Sequence, residues 1–220
     1  MAHFPDSTRL GRHPGWPATL GPLRTSGGVV RLRPVRLRDG GRWSDIRTRD
    51  ERHLGPWEPD APGLWAQRNT VVEWPARWSA LRAIGRRGMG LPFALLVDDQ
   101  FVGQVMIGNV LRDPLWSGYV GYWIGSHVAG RGLTTAAVAL AVDHCFGPVG
   151  LHRIEATVRP ENHSSRRVLI KLGFREEGLF RRYLNVDGAW RDHLIYAMTP
   201  EDLEHSVVER LVRRGLAERV

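Results

Sequence analysis

The sequence predicts an α/β chain of the α+β type: one mixed, mostly antiparallel sheet with helices on both faces. Three observations lead there. At 220 residues, 42% of them hydrophobic, the chain can bury one substantial core. Its strand-like runs come in closely spaced groups with turn residues between them, the pattern of antiparallel hairpins. Helix-period segments interrupt these runs in the order β, α, α, β, β, β, α, β, α, β, β, which a mixed sheet with both faces covered accommodates.

Residues 1–28 carry Pro5, Pro14, Pro17 and Pro22 without an apolar period and read as an irregular arm. The globular domain is expected over 29–200. Val29 to Leu37 (VVRLRPVRL) alternates apolar and basic residues and reads as a strand. Arg38 to Leu54 places Trp43, Ile46, Arg47 and Asp50 at near-helical spacing and stops at GPWEP, whose prolines forbid continuation. The tryptophan-rich stretch Leu64 to Gly85 is helical in period and interrupted by Pro75, giving one kinked helix or two short ones. PFALLV (92–97), FVGQVMIGNV (101–110) and SGYVGYWIG (117–125) follow as strands, the first two joined by a DDQ turn. Leu133 to Phe146 is an apolar helix, RIEATV (153–158) a strand, and 164–172 a helix. A last strand pair turns at Asp187-Gly188. Residues 201–220 read as a basic helical tail, ordered or frayed.

No run approaches the roughly 20 apolar residues of a membrane span, and the opening MAHFPDSTRLGRHPG lacks a secretory apolar core. A soluble, cytoplasmic protein is expected, without membrane partners. The single cysteine, Cys145, sits in an apolar helix and reads as core, and no Cys/His spacing suggests a metal site. The net charge of +8 raises nucleic-acid binding. Lys171 is the only lysine among 31 Lys and Arg residues, and the arginines are scattered, so a specific nucleic-acid partner is not expected. Homodimerisation is left open.

Chemistry concentrates in HVAGRGLTT, His127 to Thr135. A Walker A loop needs GxxxxGK[ST] and a dinucleotide fingerprint a third glycine, and both are missing. What remains is two glycines letting a ligand approach the backbone and a helix start whose unpaired amides and dipole attract an anion. With GPWEP, GYWIG, LHRIEATVRPENHSS, KLGF and DGAWRDH, the chain resembles the GNAT acyltransferases, in particular the RimJ/RimL branch that acetylates N-termini of ribosomal proteins. The resemblance covers roughly Val29 to Thr199 and implies the GNAT fold, acetyl-CoA as donor, and a protein N-terminal α-amine, ribosomal as the leading choice, as acceptor.

On that resemblance, Trp123, Ile124 and Gly125 line the pantetheine arm, and His127, Val128, Gly130, Arg131, Gly132, Leu133 and Thr134 surround the pyrophosphate. His127 departs from the family's Gln or Arg. The tyrosine many members carry seven residues after the motif asparagine is here Leu169, so the RimL-like pattern Asn-x-x-Ser makes Ser165 the general acid and Asn162 a cofactor contact. The bland alternative is that Asn162 to Ser165 merely cap a helix. The usual glutamate near the end of the GYWIG strand is replaced by Gly125-Ser126, leaving Glu58, Glu155 and Asp192 as base candidates. Trp57, Glu58 and Asp192 are expected at the acceptor. The missing base favours α-amines, with pKa about 7.7 to 8.0, over lysines at about 10.4. Acetylation of an aminoglycoside or polyamine, and a non-catalytic CoA-binding module, are the alternatives.

Overall fold

A computed structural model describes residues 15–220. Its strands are β1 (Leu20–Thr25), β2 (Gly28–Pro34), β3 (Leu91–Val97), β4 (Gln100–Leu111), β5 (Ser117–Ile124), β6 (Arg153–Val158), β7 (Arg175–Val186), β8 (Ala189–Met198) and β9 (Glu218–Arg219). They form one sheet in the order β7-β8-β6-β5-β4-β3-β2-β1-β9. The helices are α1 (Gly40–Arg49), α2 (Glu51–Leu54), α3 (Trp65–Arg68), α4 (Trp74–Arg86), α5 (Leu133–Phe146), α6 (His163–Leu172) and α7 (Val207–Arg213).

Every residue of β3 is buried, and pleat alternation divides them between two cores. Phe93, Leu95 and Val97 join the larger core with α5, whose Ala136, Ala137, Val138, Ala139, Ala141, Val142 and Cys145 are all buried. A helix apolar all round belongs inside, and burial pushes the Cys145 thiol far above its ordinary range. Ala94 faces the other way, into a smaller cluster with Trp43 and Ile46 of α1, Trp74 of α4 and Phe101. Helices therefore cover both faces, as the pattern predicts. The Asp98-Asp99 and Asp187-Gly188 turns both take positive φ at their two central residues, the conformation that suits strand twist.

The expected irregular arm needs correction where it is described; residues 1–14 lie outside the described residues. Residues 20–25 form β1, paired with β2 on one side and β9 on the other. The proline that argues against a strand, Pro22, sits where the register shifts between Leu20 and Leu23, so its missing N–H breaks no ladder bond, while Leu23 is buried. The tail is likewise not frayed. The Asp143 carboxylate of α5 accepts the N–H groups of Val207 and Val208 at 2.7 and 2.9 Å, fixing the start of α7, and the chain then returns as β9.

Of the two alternatives for Leu64 to Gly85, separate helices stand: Pro75 lies in the first turn of α4, where a missing N–H costs nothing, so α3 and α4 are distinct and not one kinked helix. The expected Arg38 to Leu54 helix is interrupted at Asp50, which has a task of its own in the site.

Candidate active site

Among the described strands β5 and β6 are the one parallel pair, and their register runs only from Ser117 opposite Arg153 to Tyr119 opposite Glu155. Both strands continue, to Ile124 and Val158, so beyond Tyr119 they diverge. Their facing N–H and C=O groups then have no ladder partner, an arrangement that suits an extended ligand lying between them. A cleft of ≈ 1110 Å³ opens at this split. Its inner end is closed by Tyr119, whose hydroxyl lies 2.8 Å from Thr157 Oγ1 and accepts the Thr157 N–H at 3.2 Å.

At one end the cleft is lined by Val128, Gly130, Gly132, Leu133 and Thr134. Gly130 and Gly132 hold φ of +80° and +77°, with nothing within 4 Å of where a Cβ would stand. These left-handed positions favour glycine, and the open space lets an anion reach the backbone. No side chain caps α5, so its first-turn amides keep their capacity for a ligand. The residues present fit a pyrophosphate.

Gly125, His127 and Arg131, expected to touch the cofactor, stand outside the cleft lining and back the loop instead. A Cβ on Gly125 would meet the His127 ring at 2.6 Å, which explains the glycine. Arg49 Nη2 donates to His127 Nδ1 at 2.8 Å, placing the imidazole proton on Nε2. Desolvation, and then the Arg49 charge, lower the His127 pKa. Arg131 Nη2 donates to the His127 carbonyl at 3.3 Å. Asp50, at the break between α1 and α2, accepts the Ser126 N–H at 2.7 Å and its Oγ–H at 2.8 Å. With Arg49 also donating to it, its carboxyl is held well below the usual range. The interruption of the helix is thus a hook for the loop.

Midway along the cleft Asn162 caps α6 by accepting the Ser165 N–H at 3.0 Å, so the capping role is present. Ser165 Oγ remains free for a second partner, and Tyr122 Oη stands 2.7 Å from it. Burial raises the Tyr122 pKa strongly, so the phenol keeps its proton, and it reaches both the Ser165 carbonyl at 3.2 Å and Oγ, where either hydroxyl can be the donor. Asn162, Ser165 and Tyr122 all line the cleft, as do Trp123 and Ile124.

The other end is built from side chains. Glu58 lines the cleft and forms a two-pronged ion pair with Arg47, with Nη2 to Oε2 at 2.6 Å. The Arg47 side chain is buried, gives its Nε to Asn69 Oδ1 at 2.6 Å, and lies 4.5 Å from the centre of the Trp65 ring and 5.4 Å from that of Trp123. Trp57 lines the same end and stacks against Arg159 at 5.4 Å. The loop carrying Trp57 and Glu58 is pinned by Asp60, whose carboxylate accepts the N–H groups of Asp187 and Gly188 at 3.0 and 2.9 Å.

Two expected residues fall elsewhere. Glu155 does not line the cleft; strand alternation turns it to Arg153, whose Nε it accepts at 2.6 Å. Asp192 also stands off the cleft and accepts the Arg182 N–H at 2.8 Å across the hairpin, while its neighbour His193 lines the cleft from the opposite face. Sequence reasoning missed Tyr119, Tyr122 and Asp50. The two tyrosines had a faint signal, polar-tipped residues in an otherwise apolar strand beside the glycine loop.

The family profile described as "Acetyltransferase (GNAT) domain" matches residues 30–175. The chain belongs to the GNAT acetyltransferase family. This GNAT enzyme is thus an acetyl-CoA-dependent N-acetyltransferase, with the mixed sheet and helices of that family. It is 34% identical over 182 residues to the ribosomal protein uS5-alanine N-acetyltransferase of Escherichia coli (strain K12), covering 82% of this chain and 91% of that one. It is similar to Mycobacterium smegmatis RimJ in complex with CoA-disulfide, with 56% identity, a TM-score of 0.94, and coverage of 94% of this chain and 100% of that chain. A ribosomal-protein-S5-alanine acetyltransferase from Vibrio fischeri is 30% identical with a TM-score of 0.72, covering 80% of this GNAT enzyme and 96% of its own chain. None of the described helices is long and apolar enough to cross a membrane.

Proposed function

We propose that this enzyme acetylates the N-terminal α-amine of a ribosomal protein, in one direct transfer at the β5–β6 split. The observation that carries this reading is the cleft itself: a backbone-lined anion loop at one end, Ser165 with Tyr122 at the centre, and Glu58 at the other end. Likeness to uS5-alanine N-acetyltransferase and to RimJ supports the ribosomal acceptor. Such an acceptor also favours a cytoplasmic place of work.

Acetyl-CoA supplies an acyl thioester, a carbonyl open to attack by a neutral amine. The amides of Gly132, Leu133 and Thr134 hold the pyrophosphate, and the open edges of β5 and β6 pair with the pantetheine arm, with Trp123 and Ile124 beside it. Asn162 positions Ser165. Both Glu58 oxygens are engaged by Arg47, yet a carboxylate accepts about four hydrogen bonds, leaving room for the incoming ammonium. The surplus ammonium proton leaves through Glu58 to water, a small demand, since roughly a tenth of an α-amine is already neutral at pH 7. The amine nitrogen then bonds to the acetyl carbon and releases its second proton to water, the carbon–sulfur bond breaks, and Ser165 gives its proton to the departing sulfur. Ser165 regains a proton from water, while Tyr122 keeps its own and holds the Ser165 hydroxyl in place. Alignment of the two reactants supplies about 7 to 11 kcal/mol where the fit is good.

The test is free-thiol release from acetyl-CoA against peptides with free and blocked N-termini, an aminoglycoside and a polyamine. Turnover is expected with the free-terminus peptides alone. Turnover confined to the small amines would replace the acceptor assignment.

A further inference from the structure

The acceptor end of the cleft holds more positive charge than its own carboxylates can neutralise. Arg47, Arg52, Arg77 and Arg159 line it, against Glu58 and Glu161. Glu58 is committed to Arg47. Glu161 faces Arg159 at 3.4 Å, and Arg159 also gives Nη1 to the Pro56 carbonyl at 2.9 Å. Among the described residues neither Arg52 nor Arg77 forms a direct ion pair, although Glu58 and Glu73 lie close enough to Arg77 to act on its charge.

Arg77 is the more constrained of these two. It projects from α4, and its guanidinium lies 5.1 Å from the centre of the Trp43 ring, in the tryptophan wall that also carries Arg47. A ring face satisfies a cation electrostatically but takes none of its five N–H donors. Desolvation, and then the Arg47 charge, lower the Arg77 pKa against the pull of Glu58 and Glu73, so an anion seated there would offset the surplus positive charge. Arg77 is exposed at the cleft wall, so its donors are open to a ligand, and an arginine fork matches a carboxylate in shape as well as charge.

We infer that Arg77 is a specificity-determining residue that selects acceptors carrying an acidic side chain within the first few residues after the N-terminal amine. The inference rests on the N-terminal acceptor proposed above. With the α-ammonium at Glu58, an extended peptide advances about 3.3 to 3.6 Å per residue, so the nearby Arg77 meets one of the next few side chains rather than a distant one. Opposite charges at the two positions fix polarity: ammonium to Glu58, carboxylate to Arg77. Arg52, on the same wall, adds to the field without the aromatic support.

The experiment measures kcat/KM on short peptides with a free N-terminal alanine, in which one Glu is walked through positions two to five of a neutral background, with Gln and Lys counterparts. The expected result is a Glu preference of about tenfold over Gln at one position, the scale of a charge-assisted, partly desolvated pair, expressed in KM. Arg77→Glu is expected to reverse the preference toward Lys, and Arg77→Gln to abolish it. Added salt should shrink the wild-type preference, a reading that survives if Arg77→Glu is unstable. Equal kcat/KM for Glu, Gln and Lys at every position would overturn the inference while leaving the N-terminal acceptor intact. A Glu preference unchanged in Arg77→Gln would do the same. Failure to acetylate any free N-terminus would remove the acceptor assignment and this inference together.

Discussion

The two ends of the cleft are made of different materials. The donor end is backbone: two glycines in left-handed conformations and the bare first turn of α5. The acceptor end is side chain: Arg47 from α1, Arg77 from α4, and Trp57 with Glu58 from a loop held by the β7–β8 hairpin. A backbone site binds what every relative must bind and depends on few residue identities. A side-chain site is free to vary with the acceptor. Substitutions at the two ends should therefore separate in kinetics, one set acting on acetyl-CoA and the other on the peptide.

The largest effect is expected where the ends meet. Ser165→Ala should lower kcat by about 10²- to 10⁴-fold, the range of general acid catalysis, with both KM values little changed. Stability should hold, because Tyr122 keeps the Ser165 carbonyl as a second partner at 3.2 Å. Circular dichroism and steady-state kinetics check this together. Normal turnover in Ser165→Ala would return the Asn162–Ser165 segment to helix capping alone.

An intermediate effect is expected at the acceptor end. Glu58→Gln leaves the buried Arg47 guanidinium without its anion, but Glu58 is itself 28% exposed in its side chain, so water offsets part of the loss. A cost of about 2 kcal/mol, below the 3 to 5 of a fully buried pair, should appear in urea unfolding. Peptide KM should rise and acetyl-CoA KM should not. A rise in acetyl-CoA KM alone would break the division between the two ends.

The smallest effect is expected at His127, behind the donor loop. Its pKa is lowered in the folded protein, so below about pH 6.5 the unfolded chain binds the proton more readily. Stability from this group is complete above that pH and is lost as pH falls through the folded value. His127→Gln, whose side-chain oxygen can still accept from Arg49, should flatten part of that acid limb and change acetyl-CoA KM by less than about threefold. Comparing denaturation midpoints at pH 5.5 and 7.5 measures the first, and a steep wild-type limb retained in the variant would contradict it.

The contrast also explains what could be read in advance. Backbone devices leave local marks. Gly130 and Gly132 before an apolar run, Asp187-Gly188 between strands, and Asn162 ahead of Ser165 each announce a conformation within a few residues, and the loop, the hairpin and the cap lie where those marks stand. The acceptor wall leaves none, because Arg47, Glu58 and Arg77 are scattered in sequence and joined only by the fold. Asp50 looked like one more residue in a helix, since nothing local reveals a bond to Ser126 across 76 positions. Tyr122 was hidden by its strand, where an aromatic residue needs no further reason. β1 is hidden by Pro22 and the prolines before it, which signal irregularity unless the bulge that accommodates Pro22 is known.

The most direct test of the account uses one peptide offering both kinds of amine, a free N-terminal alanine and an internal lysine, with acetyl-CoA, and maps the acetyl group by fragmentation mass spectrometry. The account predicts acetate on the α-nitrogen in the native enzyme and its near absence with Ser165→Ala. Acetate on the lysine nitrogen, with the N-terminus untouched, would contradict it.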